Sequence, residues 1–463
     1  MPRIEKDSLG EKKLPDNAYY GIQTLRALEN FPISGLRADE ILVKAYAILK
    51  KTCCLANTEL KLIDAKKSKA IIKACDEVIN EQFSDQFKSD VFQAGAGTSF
   101  NMNLNEVIAN RAIEVLGGQK GDYKIVSPND DVNMAQSTND TFPTAMRIAI
   151  LLKLATFYPA LKKLIKTLKV KGKAFDNIIK SARTHLQDAV PIRLGQEFIS
   201  YAITLEKCLK DIEKNAEDLK ELGIGGTAAG TGINTHAKYR FAVIKFLKQE
   251  TKLPFKISAN LIEIMQSQQA IAHISSAIKN LAIELNKITN DLRLIASGPN
   301  TGLGEINLPA VQPGSSIMPG KVNPSILECL NMICMHVIGA DQTVSLAIGN
   351  GQLNLNVFMP LMAYEILNSL EILKNGLKML EEKCVRGITA NKATCEKYVT
   401  QSPSLVTALN PIIGYLNAAE IAKEFIKTGK PIDEIILAKK ILDKKQLKKI
   451  LNPRKLTEPG LPK

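Results

Sequence analysis

Two stretches in the middle of this 463-residue chain repeat apolar residues at alternating steps of three and four, and that spacing leaves few folds open. Phe198, Ala202, Leu205, Leu209, Ile212, Ala216 and Leu219 form one seam; Ile271, Ile274, Ile278, Leu281, Leu285, Ile288 and Leu292 form the other. A 3.5-residue repeat sets every member on one stripe of a helix, and such a stripe is buried best against another helix. At roughly 1.5 Å per residue, the second helix, predicted from near Asn260 to near Ile295, would run about 50 Å. The chain is thus predicted to be mostly α, organised around a long central helical bundle. Ile199, Tyr201, Ile203 and Cys208 widen the first seam, and Ala270, Ala277 and Ala282 the second. Stripes that broad call for neighbours on more than one side, which predicts helices shared between subunits of an obligate oligomer.

The bundle is expected over residues 140–394, after a mixed, mainly helical domain over 1–139 and before a small helical domain over 395–463. Strand signals are few and short, as at Lys124-Ile125-Val126. No run approaches the roughly 18 apolar residues that span a bilayer. The N-terminus, Met1-Pro2-Arg3-Ile4-Glu5-Lys6-Asp7, lacks the apolar core of a signal peptide, so a cytoplasmic location is expected. None of the eight cysteines forms a CxxC pair, which favours reduced, mostly buried thiols over a metal site or disulfide framework. The net charge of +14 points toward anions in general. Half of it falls in residues 438–463, where nine Lys/Arg face two acids. There lysine pairs alternate with Ile441, Leu442, Leu447, Ile450 and Leu451, as in a solvated amphipathic helix. No aromatics are interleaved to stack on bases, so no nucleic-acid partner is expected.

Four polar clusters sit oddly as core or plain loop. The first is Gly95-Ala96-Gly97-Thr98-Ser99-Phe100-Asn101-Met102-Asn103; the second is Gln136-Ser137-Thr138-Asn139-Asp140, just before an apolar helix. Its hydroxyls suit helix capping and anion binding equally. The third is Arg183-Thr184-His185-Leu186-Gln187-Asp188. The fourth, Gly314-Ser315-Ser316-Ile317-Met318-Pro319-Gly320-Lys321-Val322-Asn323-Pro324, joins a glycine-hinged loop, two hydroxyls, a cation and an amide to a helix predicted to start at Pro324. That is equipment for chemistry on a small dicarboxylate. Two other motifs mislead. Gly223-Ile224-Gly225-Gly226-Thr227-Ala228 fits a loose GxGxxA but follows a heptad helix where a dinucleotide fold needs a strand. Ala296-Ser297-Gly298 matches a tripeptide that cyclises into an electrophile elsewhere, in surroundings unlike those here.

The fourth cluster resembles the signature of the aspartase/fumarase superfamily, and the other three match its remaining blocks in order. The similarity runs from Asp7-Ser8-Leu9-Gly10-Glu11 to Leu456-Thr457-Glu458-Pro459-Gly460. It implies a three-domain, mostly helical subunit whose long central bundles combine in a homotetramer, with each active site drawn from three subunits. Tyr20-Gly21-Ile22-Gln23-Thr24-Leu25-Arg26, Val311-Gln312-Pro313 and Gly351-Gln352-Leu353-Asn354-Leu355-Asn356 resemble the branch that eliminates ammonia from L-aspartate. Fumarases usually carry Glu where Gln312 stands. Asp130-Asp131-Val132-Asn133 and Gly302-Leu303-Gly304-Glu305-Ile306 are also at home in the class II fumarate hydratase branch, which eliminates water from malate. A third reading, a non-catalytic helical scaffold or basic interaction protein, has no use for the four polar clusters.

The resemblance also implies roles. Thr98, Ser137, Thr138 and Ser316 would hold the β-carboxylate as its aci-form accumulates charge. Lys321, Asn323 and Thr184 would hold the α-carboxylate, and Asn139 and His185 the leaving amino group. Ser315 would be the general base, activated by its surroundings as the loop closes. Glu328, four residues into the following helix, would pair with His185 and set its tautomer. No cofactor would be required, with activation by Mg2+ left open.

Overall fold

A computed structural model describes residues 3–461. In chain order, the N-terminal hairpin β1 (Arg3–Asp7) and β2 (Gly10–Leu14) is followed by α1 (Ile22–Asn30), α2 (Glu40–Glu59), α3 (Ala65–Ile79) and α4 (Thr98–Val115). Next come the 37-residue α5 (Thr138–Ala174), the hairpin β3 (Ile179–Thr184) and β4 (Gln187–Arg193), and α6 (Leu194–Ala216). The strand β5 (Glu221–Leu222), α7 (Tyr239–Thr251), β6 (Lys256–Ile257), α8 (Leu261–Gln266) and α9 (Gln269–Ile295) follow. Then come β7 (Ile306–Asn307), α10 (Ser325–Gly349), α11 (Met359–Lys383), β8 (Thr389–Ala390) and α12 (Lys392–Gln401). The chain closes with α13 (Asn410–Ile413), α14 (Tyr415–Thr428), α15 (Ile432–Ala438) and α16 (Lys444–Ile450). Among the described residues the strands form two-stranded ladders. The mostly-α expectation holds.

Both heptad seams are realised. All seven members of each are buried, from Phe198 to Leu219 and from Ile271 to Leu292. Of the widening residues, Tyr201, Ala277 and Ala282 are also buried within the chain, whereas Ile203 stays 45% exposed. The predicted helix from Asn260 to Ile295 is broken in two. Asn260 does cap a helix, its side chain accepting from the Ile262 and Glu263 N–H groups, but α8 ends at Gln266 and Ser267 is extended. The Gln268 carbonyl then accepts from Ile271 and Ala272, starting α9. Two further expectations are corrected. Lys124-Ile125-Val126 lies in turns rather than a strand, with the Ile125 N–H bonded to the Asp122 carbonyl. The basic tail is not one helix: it ends α15, supplies the short α16, and passes into a 3-10 turn, with Leu447 and Ile450 buried.

The chain divides into two compact units. The first comprises residues 1–159, 208–283 and 334–374; the second comprises 160–207, 284–333 and 375–463. In the first, Tyr46 of α2, Phe100 of α4 and Phe142 of α5 pack with ring centroids 5.7 to 6.5 Å apart. Gly97 has no room for a side chain, since a Cβ there would lie 2.2 Å from the Phe142 ring. Its φ of 86° is one that glycine adopts freely. The aromatic core and this glycine hold the start of α4 against α5. In the second unit, Val406, Leu409, Ile421, Ile435, Ile436, Leu447 and Ile450 gather into a separate apolar core.

α10 departs from the expectation that no segment is apolar enough to span a bilayer. It has a mean hydropathy of 1.3 over its most apolar window, yet only a third of that window is buried. Met332, Met335 and Leu346 are 65%, 60% and 58% exposed.

Candidate active site

In the first unit the structure assembles the Thr98 and Ser137–Asn139 clusters into one polar corner. Thr98 opens α4, and its hydroxyl lies 3.4 Å from the Gly95 carbonyl. Asn101, one turn further on, donates its Nδ2 to Thr138 Oγ1 at 2.9 Å. Thr138 opens α5, so two helix N-termini, each with partial positive charge, meet through this bond. Ser137 caps α5: its Oγ accepts from the Asn139 N–H at 3.2 Å and its carbonyl from the Thr141 N–H at 3.0 Å. Capping uses the oxygens of Ser137 as acceptors and leaves its hydroxyl proton for an anion, so both readings of this cluster are compatible. Asn139 donates Nδ2 to the Ala228 carbonyl at 2.8 Å, which fixes the amide and leaves its Oδ1 as the acceptor. The Gly351–Asn356 stretch leads to the same corner, where the Val357 carbonyl takes the Ala96 N–H at 2.8 Å.

Asp140 anchors the turn from behind. Fully buried, it accepts from the N–H groups of Ser137 (3.0 Å), Gly225 (3.0 Å) and Thr227 (2.9 Å). Burial outweighs those bonds and pushes its carboxyl up to about 6. The GxGxxA look-alike therefore serves as a socket for Asp140. The short β5 does precede it, paired in parallel with β6.

In the second unit, β3 and β4 pair Thr184 with Gln187, leaving His185 and Leu186 as a two-residue turn. Both take left-handed backbone angles, φ 56° and 60°, the type I′ geometry that Asn-Gly normally serves. A histidine and a leucine there carry strain, which is found most often where function holds it. Thr184 and His185 are exposed at this tip. Its foundation is ionic. Arg183 lies 2.7 Å from Glu305, whose other oxygen lies 2.6 Å from Lys180; Lys180 also reaches both oxygens of Glu197 at 3.0 Å. Glu305 is fully buried, and the Arg183 guanidinium stacks on Tyr398 at 5.2 Å.

The Gly314–Pro324 loop is closed on itself. The Gly314 N–H donates to the Lys321 carbonyl (2.8 Å), and Asn323 Nδ2 to the Gly314 carbonyl (2.6 Å). A Cβ on Gly314 would stand 2.5 Å from that Lys321 oxygen, so the residue must be glycine. Ser315 Oγ accepts from the backbone N–H groups of Ile317 (3.2 Å) and Met318 (3.0 Å). Two donors aimed at one hydroxyl oxygen stabilise its anion, as in an oxyanion hole. Sequence alone supplied the serine but not these two donors. Ser316 and Lys321 are exposed, and Ile317 is 84% exposed at the loop's crest. Pro324 is the residue before α10 rather than its first, its carbonyl accepting from Leu327 and Glu328. Glu328 lies 3.6 Å from Arg293 in its own chain.

The structure thus groups Thr98, Ser137, Thr138 and Asn139 in one unit; Thr184 with His185, and Ser315, Ser316, Lys321, Asn323 and Glu328, belong to the other. Sequence reasoning assigned no role to Lys50, Asn101, Asp140 or Glu305, although Asn101, Asp140 and Glu305 lie inside or beside motifs it singled out. All four are buried.

The whole chain is similar to known proteins. A family model described as "Lyase" matches residues 10–339, and one described as "Fumarase C C-terminus" matches residues 405–458. The aspartate ammonia-lyase of Helicobacter pylori is 49% identical over 459 residues, 99% of this chain and 98% of the relative. That of Bacillus subtilis is 47% identical over 99% and 97%. Among solved structures, a fumarate lyase:delta crystallin from Brucella melitensis bound to cobalt has a TM-score of 0.96 at 48% identity, covering 99% of this chain and all of that one. A class II fumarase from Schistosoma mansoni also has a TM-score of 0.96, at 37% identity over the same shares.

Proposed function

Since the chain belongs to the aspartase/fumarase superfamily of lyases, we propose that it catalyses the reversible deamination of L-aspartate to fumarate and ammonia. The observation that carries ammonia over water as the leaving group is the identity of 46–49% over nearly the whole chain to relatives named aspartate ammonia-lyase, against 37% to the class II fumarase structure.

In this reading Ser315 removes a proton from Cβ, its oxyanion supported by the Ile317 and Met318 N–H groups. The electron pair moves onto the β-carboxylate, and the resulting aci-dianion is held by Thr98, Ser137, Thr138 and the loop at Ser316. Hydroxyl and N–H donors suit this because they supply hydrogen bonds without a competing fixed charge in a water-poor site. The dianion then expels ammonia from Cα with the C–N electron pair. Asn139, its Nδ2 already engaged and its Oδ1 accepting, takes a hydrogen bond from the α-ammonium beside His185. Lys321, Thr184 and Asn323 hold the α-carboxylate. Asn323 here clasps the loop with one N–H and offers its second to substrate. Glu328 orients His185 from a neighbouring subunit. No cofactor enters the reaction, and Mg2+ acts at most as an activator.

Assembly into a homotetramer with shared sites is part of the same proposal. The half-exposed apolar side of α10, with Met332, Met335 and Leu346, and the exposed Ile203 on α6 supply the surface that copies would cover. Light scattering coupled to size exclusion should return about four times 50.7 kDa; a monodisperse monomer would remove the shared-site scheme. The activity is tested by following fumarate absorbance with purified protein given L-aspartate, then L-malate. Aspartate alone should turn over, and turnover of malate alone would replace deamination with hydration.

A further inference from the structure

Behind the Ser137–Asn139 turn lies a cation with no place in the chemistry so far. Lys50, on α2, is fully buried, and its Nζ donates to two neutral amide oxygens, Asn133 Oδ1 and Gln136 Oε1, each at 2.9 Å. Burying an ammonium without a paired carboxylate is costly, and neutral acceptors return only part of that cost. The carboxylate that acts on it most strongly, Asp140, already receives three backbone N–H groups. The other titratable groups acting on Lys50 are the thiols of Cys53 and Cys75, and the Tyr46 ring lies 5.5 Å from its Nζ. Burial holds both thiols and the Tyr46 phenol above their ordinary values, so none supplies a counter-charge near neutral pH.

The lysine also orders what stands in front of it. Gln136, its oxygen on Lys50, directs Nε2 to the Val132 (3.0 Å) and Met134 (3.1 Å) carbonyls, winding the 132–136 turn around the ammonium. Asn133 Oδ1 accepts from Lys50 and also from Asn105 (3.2 Å) and Asn101 (3.4 Å). Asn101 Nδ2 reaches on to Thr138 Oγ1, while its Oδ1 accepts from Tyr46 at 3.1 Å. Every amide in this chain therefore has a fixed orientation. Thr138 Oγ1, being an acceptor toward Asn101, keeps its proton for whatever binds at the turn.

We propose that Lys50 is a positioning residue for the β-carboxylate: its buried charge, relayed through Asn133 and Asn101, orients the Thr138 hydroxyl as a donor and makes the Ser137–Asn139 turn selective for a dianionic dicarboxylate. The proposal rests on the assignment of that turn to the β-carboxylate. It also accounts for a buried, incompletely compensated charge, which an arriving carboxylate balances.

The test uses the full-length assembled protein with succinate, a dicarboxylate without an ammonium group, and measures binding by calorimetry. Lys50→Met should weaken succinate about tenfold or more, the scale of a lost charge-assisted hydrogen bond, and raise KM for aspartate more than it lowers kcat. Lys50→Arg should recover part of the binding. Should Lys50→Met fail to assemble, the wild-type protein decides: burial lowers the Lys50 ammonium to about 8, so succinate affinity should fall between pH 7 and pH 9. Unchanged binding by a folded Lys50→Met protein overturns the proposal, as does flat wild-type affinity over that pH range when the variant does not assemble. Ser137→Ala separates the two layers of argument. If it weakens succinate while Lys50→Met does not, only the role of Lys50 fails; if neither changes, the turn is not the carboxylate site.

Discussion

Replacing Glu305 by alanine tests the ionic foundation beneath the His185 turn. Glu305 is fully buried and faces two cations, Arg183 at 2.7 Å and Lys180 at 2.6 Å. Removing one partner of a buried pair costs about 3 to 5 kcal/mol, because the cation left behind stays desolvated. Two details set the expectation at the lower end. The Arg183 side chain is 14% exposed and keeps its stack on Tyr398, so it recovers some solvation. Lys180, 2% exposed, keeps both oxygens of Glu197. A loss of about 3 kcal/mol should appear in urea unfolding followed by far-ultraviolet circular dichroism at fixed protein concentration. Replacing the pair together, as Lys180→Met with Glu305→Leu, should cost less than the two single changes combined, since neither member of that pair is left buried without the other, although Arg183 and Glu197 each lose one partner. Because Arg183 adjoins Thr184 and His185, Glu305→Ala should also lower kcat/KM by about 100-fold, the scale on which a displacement of about 1 Å acts. A single-variant loss below about 1 kcal/mol, or strict additivity in the pair, would refute the reasoning.

Three further outcomes are expected. Ser315→Ala should nearly abolish fumarate formation while leaving assembly intact, and retention of a tenth of the rate would remove Ser315 as base. Leu186→Gly should relieve the left-handed strain of the turn and stabilise the protein by about 1 kcal/mol while lowering kcat as His185 loses its fixed direction; a less stable protein would contradict the strain argument. Glu106, buried under four donor contacts from Gly21, Gln23 and Thr24, has its carboxyl raised by burial to about 7. Its folded value exceeds its unfolded one, so its contribution to stability is fully present below about 4.5 and is lost as pH rises through about 7, roughly 3 kcal/mol in all. Unfolding free energy should therefore depend less on pH between 5 and 8 in Glu106→Gln than in the wild type, and identical slopes would sink the assignment.

What the sequence disclosed, and what it hid, follows from the range over which each signal acts. The heptad seams were legible because burial repeats along them, and all fourteen members are buried. The polar clusters were legible because hydroxyls, amides and glycines gathered in short runs have little other use. The break between α8 and α9 was hidden because Gln268, whose carbonyl starts α9, is not a capping type of residue. Lys124-Ile125-Val126 has β-forming side chains but is only three residues long, so local turn bonds decide its course. Lys50 was invisible for a different reason. Periodicity reads a lysine as a surface residue, and only the amides of Asn133 and Gln136, more than eighty positions away, make its burial tolerable. The two N–H groups that donate to Ser315 Oγ are set by the direction of the loop backbone, which side-chain identity does not encode.

The clasp across the Gly314–Pro324 loop bears on how such a protein can diversify. With the Gly314 N–H on Lys321 and Asn323 on Gly314, Ser315 and Lys321 are fastened into one closed ring of backbone. In the proposed mechanism Ser315 and Lys321 therefore act as a single cassette, and the clasp fixes the spacing between proton abstraction and carboxylate anchoring. A lineage seeking a different leaving group or a longer acid could leave this cassette untouched and alter the other residues proposed to hold the substrate. Engineers recasting the substrate would do well to inherit the loop whole and vary the Ser137–Asn139 corner and the His185 turn instead.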